Sequence, residues 1–278
     1  MDISGHTRVV CIIADPIGHV KTPEHMNGFF RDHGIDAVVV PAHVAPQDLA
    51  AVLQGLRRIH SLAGLIVTVP HKIDILALCD HHEESARIAG ATNVVRRTPE
   101  GLWVAANFDG MGFVQSLVDR VGPIQGKSVY MAGAGGVARA IAFSLADAGI
   151  SRLAIHNRSE AKAAELARAV QRQYPGVAAG TTGTHPTDFD IALNATTVGL
   201  KPGDAEPFFI DGLRSDCLVA DVIMQPLMTP LLAAARKRGL RICTGDGMLK
   251  HQLRAFAEFL GFTVTDGALA GAADGVIR

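Results

Sequence analysis

The sequence predicts an α/β protein made of two units, and three observations carry that prediction. Short apolar, β-branched runs alternate with stretches of helical period along nearly the whole chain, the pattern of βαβ units and a mostly parallel sheet. A length of 278 residues at about 150 per domain gives roughly two domains. The balance of 48% apolar and 19% charged residues suits chains that bury real cores. Residues 8–14 read as the first strand and 37–44 as the second, with Thr22-Pro23 between them as an N-cap followed by proline in the first turn. Leu49, Val52, Leu53, Leu56 and Ile59 recur at helical spacing before a strand over 64–69. Residues 93–97, a turn over 98–101 and a strand over 102–106 close the first series.

Gly122, Pro123, Gln125 and Gly126 read as a hinge just before the second series. That series runs through strand 128–132, helix 136–148, strand 152–156, helix 160–173, strands 190–194 and 217–223 and helix 230–238. It is long enough for a doubly wound nucleotide domain. A last helix begins near Met248 and carries Leu249, Leu253, Phe256, Phe259 and Leu260 on one stripe. Its stripe suits packing on either unit.

Charge narrows the ligand. Lys plus Arg total 26 against 27 for Asp plus Glu, a net charge of −1, so no global field draws nucleic acid or an anionic membrane. The apolar runs fall short of the roughly 20 residues that cross a bilayer, and no leader pattern opens the chain. Four cysteines, Cys11, Cys79, Cys217 and Cys243, form no CxxC pair, and a reducing cytoplasm is the expected setting. Twelve histidines show no metal-ligand spacing, so no metal is expected; His81-His82 reads as a solvated helix end.

Gly133-Ala134-Gly135-Gly136-Val137-Ala138 follows a strand and opens a helix, the context in which G-x-G-x-x-G/A binds a dinucleotide. Gly133 serves the tight turn, Gly135 the approach of a pyrophosphate, and Ala138 close helix packing. The amides at that helix start favour an anion. An acid about 20 residues further on would accept from the ribose 2′-hydroxyl of NAD, but the next strand ends at Asn157-Arg158-Ser159. Arg158 and Lys162 offer charge for a 2′-phosphate, which favours NADP with NAD as the alternative. Solvated surface charge is the other reading of these two side chains.

A nicotinamide enzyme acting on an alcohol needs a group to take the hydroxyl proton and another to orient it. Lys72 stands just past a buried strand in Val67-Thr68-Val69-Pro70-His71-Lys72, and Asp109 ends another in Asn107-Phe108-Asp109-Gly110. The bland readings are a surface lysine and a helix cap. Together with Asp15-Pro16-Ile17-Gly18-His19, Gly90-Ala91-Thr92-Asn93, Asn194-Ala195-Thr196 and Gly247-Met248-Leu249 followed by Gln252, these resemble the shikimate dehydrogenase family over essentially the whole chain.

The resemblance implies a substrate-binding domain over 1–109 with 247–278 and a Rossmann domain over 110–246. It implies Lys72 as proton donor to 3-dehydroshikimate during reduction by NADPH, and Asp109 as the group that orients substrate and lysine. By the same match Thr22, Thr68, Asn93 and Gln252 contact the polyol, and Gly133 to Val137, Asn157 to Lys162, Thr196, Val222 and Gly245 contact the cofactor. Its partner is a cyclic polyol acid, and a monomer or homodimer is expected.

Three substrate-site positions depart from the family. Val20 replaces a serine, Ile66 an asparagine and Met224 a tyrosine, leaving Thr22 as the surviving hydroxyl of the carboxylate-binding set. The alternatives are therefore a quinate- or aminoshikimate-type dehydrogenase with weak shikimate activity, and a non-catalytic nucleotide-binding module. A binding module has no need of both Lys72 and Asp109.

Overall fold

The structure, a computed structural model, describes residues 2–18, 20–201 and 203–265. His19 of the first loop motif and the small-residue stretch 268–273 lie outside the described residues. Contacts divide the described chain into two units, one of 2–87, 91–106 and 253–265 and one of 88–90 and 107–252.

The first unit opens with β1 (Arg8–Ala14), α1 (Thr22–Asp32) and β2 (Ala37–His43). A 3-10 turn at Pro46–Asp48 leads to α2 (Leu49–Leu56), β3 (Leu62–Val67), α3 (Lys72–Ala77), β4 (His81–His82), α4 (Glu84–Ala89), β5 (Val94–Arg97) and β6 (Trp103–Ala106). Its sheet has the order β2-β1-β3-β5-β6-β4. β1 runs parallel to β2 and β3, whereas β5 is antiparallel to both β3 and β6. β3 reads as a continuous apolar run because every residue of it is buried. The expected cap at Thr22 is corrected: Lys21 holds the N-cap position without a side-chain bond, and Thr22 is the first helical residue and buried. The His81-His82 pair is also not a helix end, since it forms a short strand parallel to β6.

The second unit contains α5 (Asp109–Val121), β7 (Ser128–Ala132), α6 (Gly136–Asp147), β8 (Arg152–His156), α7 (Glu160–Gln173), β9 (Ala178–Thr181), β10 (Ile191–Asn194), β11 (Leu218–Asp221), α8 (Pro230–Lys237) and β12 (Arg241–Cys243). α9 (Asp246–Phe259) is shared, with 246–252 in this unit and 253–259 in the first. All pairings of the sheet are parallel, in the order β12-β11-β10-β7-β8-β9. Alternation along β7 shows how both faces are covered. Val129 and Met131 join the core built with α5, α6 and α7, and Tyr130 and Ala132 join the one built with α8. This is the doubly wound α/β arrangement, whose ligands bind beyond the C-terminal strand ends.

Candidate active site

In the second unit the strand ends are level. Asn194 is in register with Ala132 on one side and Asp221 on the other, and Ala132 with His156. Beyond them lies a cavity of about 700 Å³. Gly133, Ala134, Gly135, Gly136 and Val137 form its floor, Asn157, Arg158, Ser159 and Lys162 one flank, and Thr196 and Val222 the other. Gly133 adopts φ +122°, and a Cβ there would lie 2.6 Å from the Ala195 carbonyl oxygen, so the turn requires glycine. Gly135 occupies the N-cap of α6 with no side-chain cap, leaving the first amides for a bound anion. Arg158 and Lys162 are exposed, and no carboxylate stands at 157–159. Gly245 is not in the cavity wall but packs behind it, since a Cβ there would meet the Val222 and Ile223 carbonyl oxygens at 2.6 Å.

The loop after β10 is held by Asn194. Its Oδ1 accepts from the Thr196 amide at 3.1 Å and hydroxyl at 2.7 Å, and its Nδ2 donates to the Val198 carbonyl at 2.9 Å. Asp204 fixes the next stretch by accepting the Lys201 and Gly199 amides, which hold its carboxyl below the usual carboxylate range. Thr184, Ala205, Glu206 and Pro207 also line the wall and were not anticipated. They come from irregular chain without a local signature.

The second unit also brings Asp109 and Gln252 together. Asp109 is 2% and Gln252 4% exposed. Gln252 Nε2 donates to Asp109 Oδ1 at 3.1 Å and to the Phe108 carbonyl at 3.3 Å, while the Asp109 amide donates to Asn107 Oδ1 at 3.0 Å. Asp109 therefore begins α5 with its carboxylate held by a side chain from far along the chain.

In the first unit the loops after β1 and β3 and the turn before β5 converge. The Thr68 amide donates to Ile13 at 3.2 Å, the Asp15 amide to Val69 at 3.3 Å, and the Val67 amide to Asn93 at 2.9 Å. Lys72 opens α3, and its carbonyl accepts the Thr92 amide at 2.8 Å. Thr68, Lys72 and Asn93 are thereby gathered at the C-terminal ends of β1 and β3. His71 is fully buried, with Nε2 at 2.8 Å from the Val44 carbonyl oxygen. A carbonyl only accepts, so Nε2 carries the hydrogen.

Of the departing positions, Ile66 is buried in β3, Val20 is half-buried and Met224 is exposed. Met224 lines a second cavity of about 740 Å³ with Leu200, Lys201, Leu227 and Met228. All four cysteines are free, and burial pushes the Cys79 and Cys217 thiols up to about 12, away from nucleophilic chemistry. Among the described residues no group of three or more His, Cys, Asp and Glu is placed to hold a metal, and no helix is long and apolar enough to cross a membrane.

A doubly wound unit with a glycine turn, an uncapped helix start and two cations on one flank belongs to the dinucleotide-binding α/β proteins. Residues 12–95 match the shikimate dehydrogenase substrate binding domain, and residues 116–199 match shikimate / quinate 5-dehydrogenase. The chain belongs to the shikimate dehydrogenase family. It is 40% identical over 274 residues to an NADP⁺ shikimate dehydrogenase of Acidiphilium cryptum, covering 97% of this chain and 96% of that one. A solved shikimate dehydrogenase in complex with NADP⁺ superposes with a TM-score of 0.86 at 33% identity, covering 95% of this chain and 93% of that one. A 5-ketofructose reductase of Gluconobacter sp. strain CHM43 superposes with a TM-score of 0.84 at 32% identity, covering 94% and 96%.

Proposed function

We propose that the chain is an NADP(H)-dependent dehydrogenase of the shikimate dehydrogenase type, interconverting 3-dehydroshikimate and shikimate. The observation that carries this reading is the cavity at the glycine turn, with Arg158 and Lys162 on one flank and no competing carboxylate at 157–159. Those cations suit a 2′-phosphate, and the uncapped start of α6 suits a pyrophosphate. NADPH, when bound, supplies the hydride. The Lys72 ammonium gives its proton to the substrate oxygen as the carbonyl becomes an alcohol, and takes it back in the reverse direction. Asp109, held by Gln252, accepts a hydrogen bond from the reacting hydroxyl and fixes its direction. Thr68 and Asn93 bond the ring hydroxyls, with Thr22 toward the carboxylate. The functional division we propose is 1–109 with 247–278 for substrate and 110–246 for cofactor.

A second reading, a dehydrogenase of a related polyol, is favoured by Val20 and Met224. They put a half-buried isopropyl group and an exposed thioether where the family offers hydroxyls to a carboxylate. The resemblance in fold to a 5-ketofructose reductase supports it.

Initial rates with NADP⁺ and NAD⁺ on shikimate, quinate and aminoshikimate, beside Lys72→Ala, test both readings. Shikimate turnover with NADP⁺ that falls by roughly two to four decades in Lys72→Ala supports the first. Turnover that prefers another member of the panel supports the second. Rates untouched by Lys72→Ala overturn the role of this lysine in either.

A further inference from the structure

Asp221 ends β11 fully buried, and every group around its carboxylate donates. Asn194 Nδ2 lies 3.2 Å from each oxygen, the Ile223 amide 3.0 Å from Oδ1, and the Thr229 hydroxyl 2.8 Å from Oδ2. Thr229 Oγ1 accepts the Leu232 amide at 3.3 Å, which leaves its own hydrogen for Asp221. Burial pushes this carboxyl up, while the four donor contacts on its two oxygens favour the anion. None of the ion pairs among the described residues includes Asp221. Its charge is balanced by dipoles alone.

Those four donor contacts hold the charge at the end of β11 although burial disfavours it. Its position suggests what uses it. Arg158 and Lys162 stand on the β8 side of the glycine turn, and Thr196 and Val222 on the side of β10 and β11. A dinucleotide with its 2′-phosphate over β8 and its pyrophosphate over β7 extends its nicotinamide toward β10 and β11. Asp221 is level with Asn194 and Ala132, two strand spacings of about 4.8 Å from β7, and directly precedes Val222 in the cavity wall.

We propose that Asp221 is an electrostatic tuning residue: its buried charge favours the positively charged nicotinamide of NADP⁺ over the neutral ring of NADPH. The inference rests on the dinucleotide reading of this cavity and is independent of the substrate. Unit charges about 10 Å apart at an effective dielectric of about 20 attract enough to change a binding constant by roughly tenfold.

The test is the ratio of dissociation constants, Kd for NADP⁺ over Kd for NADPH, measured by titration of the full chain without substrate. Asp221→Asn and Asp221→Ser both remove the charge, and either one that folds suffices. The ratio is expected to rise roughly three- to tenfold in them. Thr229→Ala removes a donor and a cap but keeps the charge, and is expected to move both constants alike. A ratio unchanged in a folded neutral variant, or one that moves as far in Thr229→Ala, overturns the proposal and leaves Asp221 a structural anchor. A wild-type chain that binds neither cofactor overturns the dinucleotide reading itself, and the proposal with it.

Discussion

At Gly133 the backbone conformation is what the proposed cofactor site would use. Its φ of +122° and the Ala195 carbonyl oxygen 2.6 Å from any Cβ exclude other residues without movement of the turn. Gly133→Ala is expected to raise the Kd for NADP⁺ by roughly tenfold or more, since strain of about 1–3 kcal/mol must be absorbed. A titration showing an unchanged Kd would mean that the turn does not cradle the pyrophosphate. Arg158 and Lys162 argue a different point at the same site. Replacing both by alanine removes charge-assisted bonds worth about 1.5–3 kcal/mol each, so NADP⁺ affinity should fall by two decades or more while NAD⁺ affinity changes little. Equal losses for both cofactors would show that the two cations do not read the 2′-phosphate. These residues were legible because a glycine turn and the strand end after it are local in sequence. The Gln252–Asp109 bond spans most of the second unit, and the resemblance pointed to both residues but nothing local paired them.

Individual elements were legible in proportion to their length. α6 and α7 carry enough turns for their period to show, and β3 is a full run of buried residues. β9, with the sequence AAGT and little burial, has no alternation to read, and the two residues of β4 cannot show a period. Thr22 misled because a Thr-Pro pair suits both the cap and the first turn, and here Lys21 takes the cap. Asp190 illustrates how a strand start is fixed. Its carboxylate accepts the Ser128 amide and hydroxyl, each at 2.8 Å, and so ties the start of β7 to that of β10. Burial alone would push this carboxyl up, but the two Ser128 bonds and the charges of Lys127 and Arg214 bring it below the ordinary range. A carboxyl lowered by folding contributes stability above its unfolded value of about 3.9, and that contribution is lost as pH falls through the folded value. Asp190→Asn should therefore lower the unfolding midpoint at pH 7 by roughly 2–4 °C. The deficit should shrink as pH drops below about 4. A deficit of the same size at pH 3 would show that the charge is not what holds the two strands.

Over the whole molecule the two units differ in how far they follow the family. The second keeps the glycine turn, the Asn194 loop anchor and the Asp109–Gln252 pair, so these motifs read through from sequence to structure. The first keeps Thr68, Lys72 and Asn93 but has Val20 and Ile66 in place of two polar side chains, and Met224 departs in the same sense from the second. Family resemblance carries the reaction further than it carries the substrate, because a hydride and proton exchange needs the same groups for any polyol, while a carboxylate needs its own donors. A hydrogen bond to a charged group contributes about 1.5–3 kcal/mol, so two missing hydroxyls amount to about 3–6 kcal/mol, or roughly two to four decades of affinity. Restoring the hydroxyls is therefore expected to restore the preference. Val20→Ser with Met224→Tyr is expected to lower KM for shikimate by at least roughly tenfold while changing KM for an analogue lacking the carboxylate much less. Both constants come from the same initial-rate assay, with Lys72 intact in each protein. A selective fall would place the specificity of this chain in those two loops. An unchanged shikimate KM would mean that the carboxylate has other donors here, and that the departures at Val20 and Met224 leave the substrate as it is in the family.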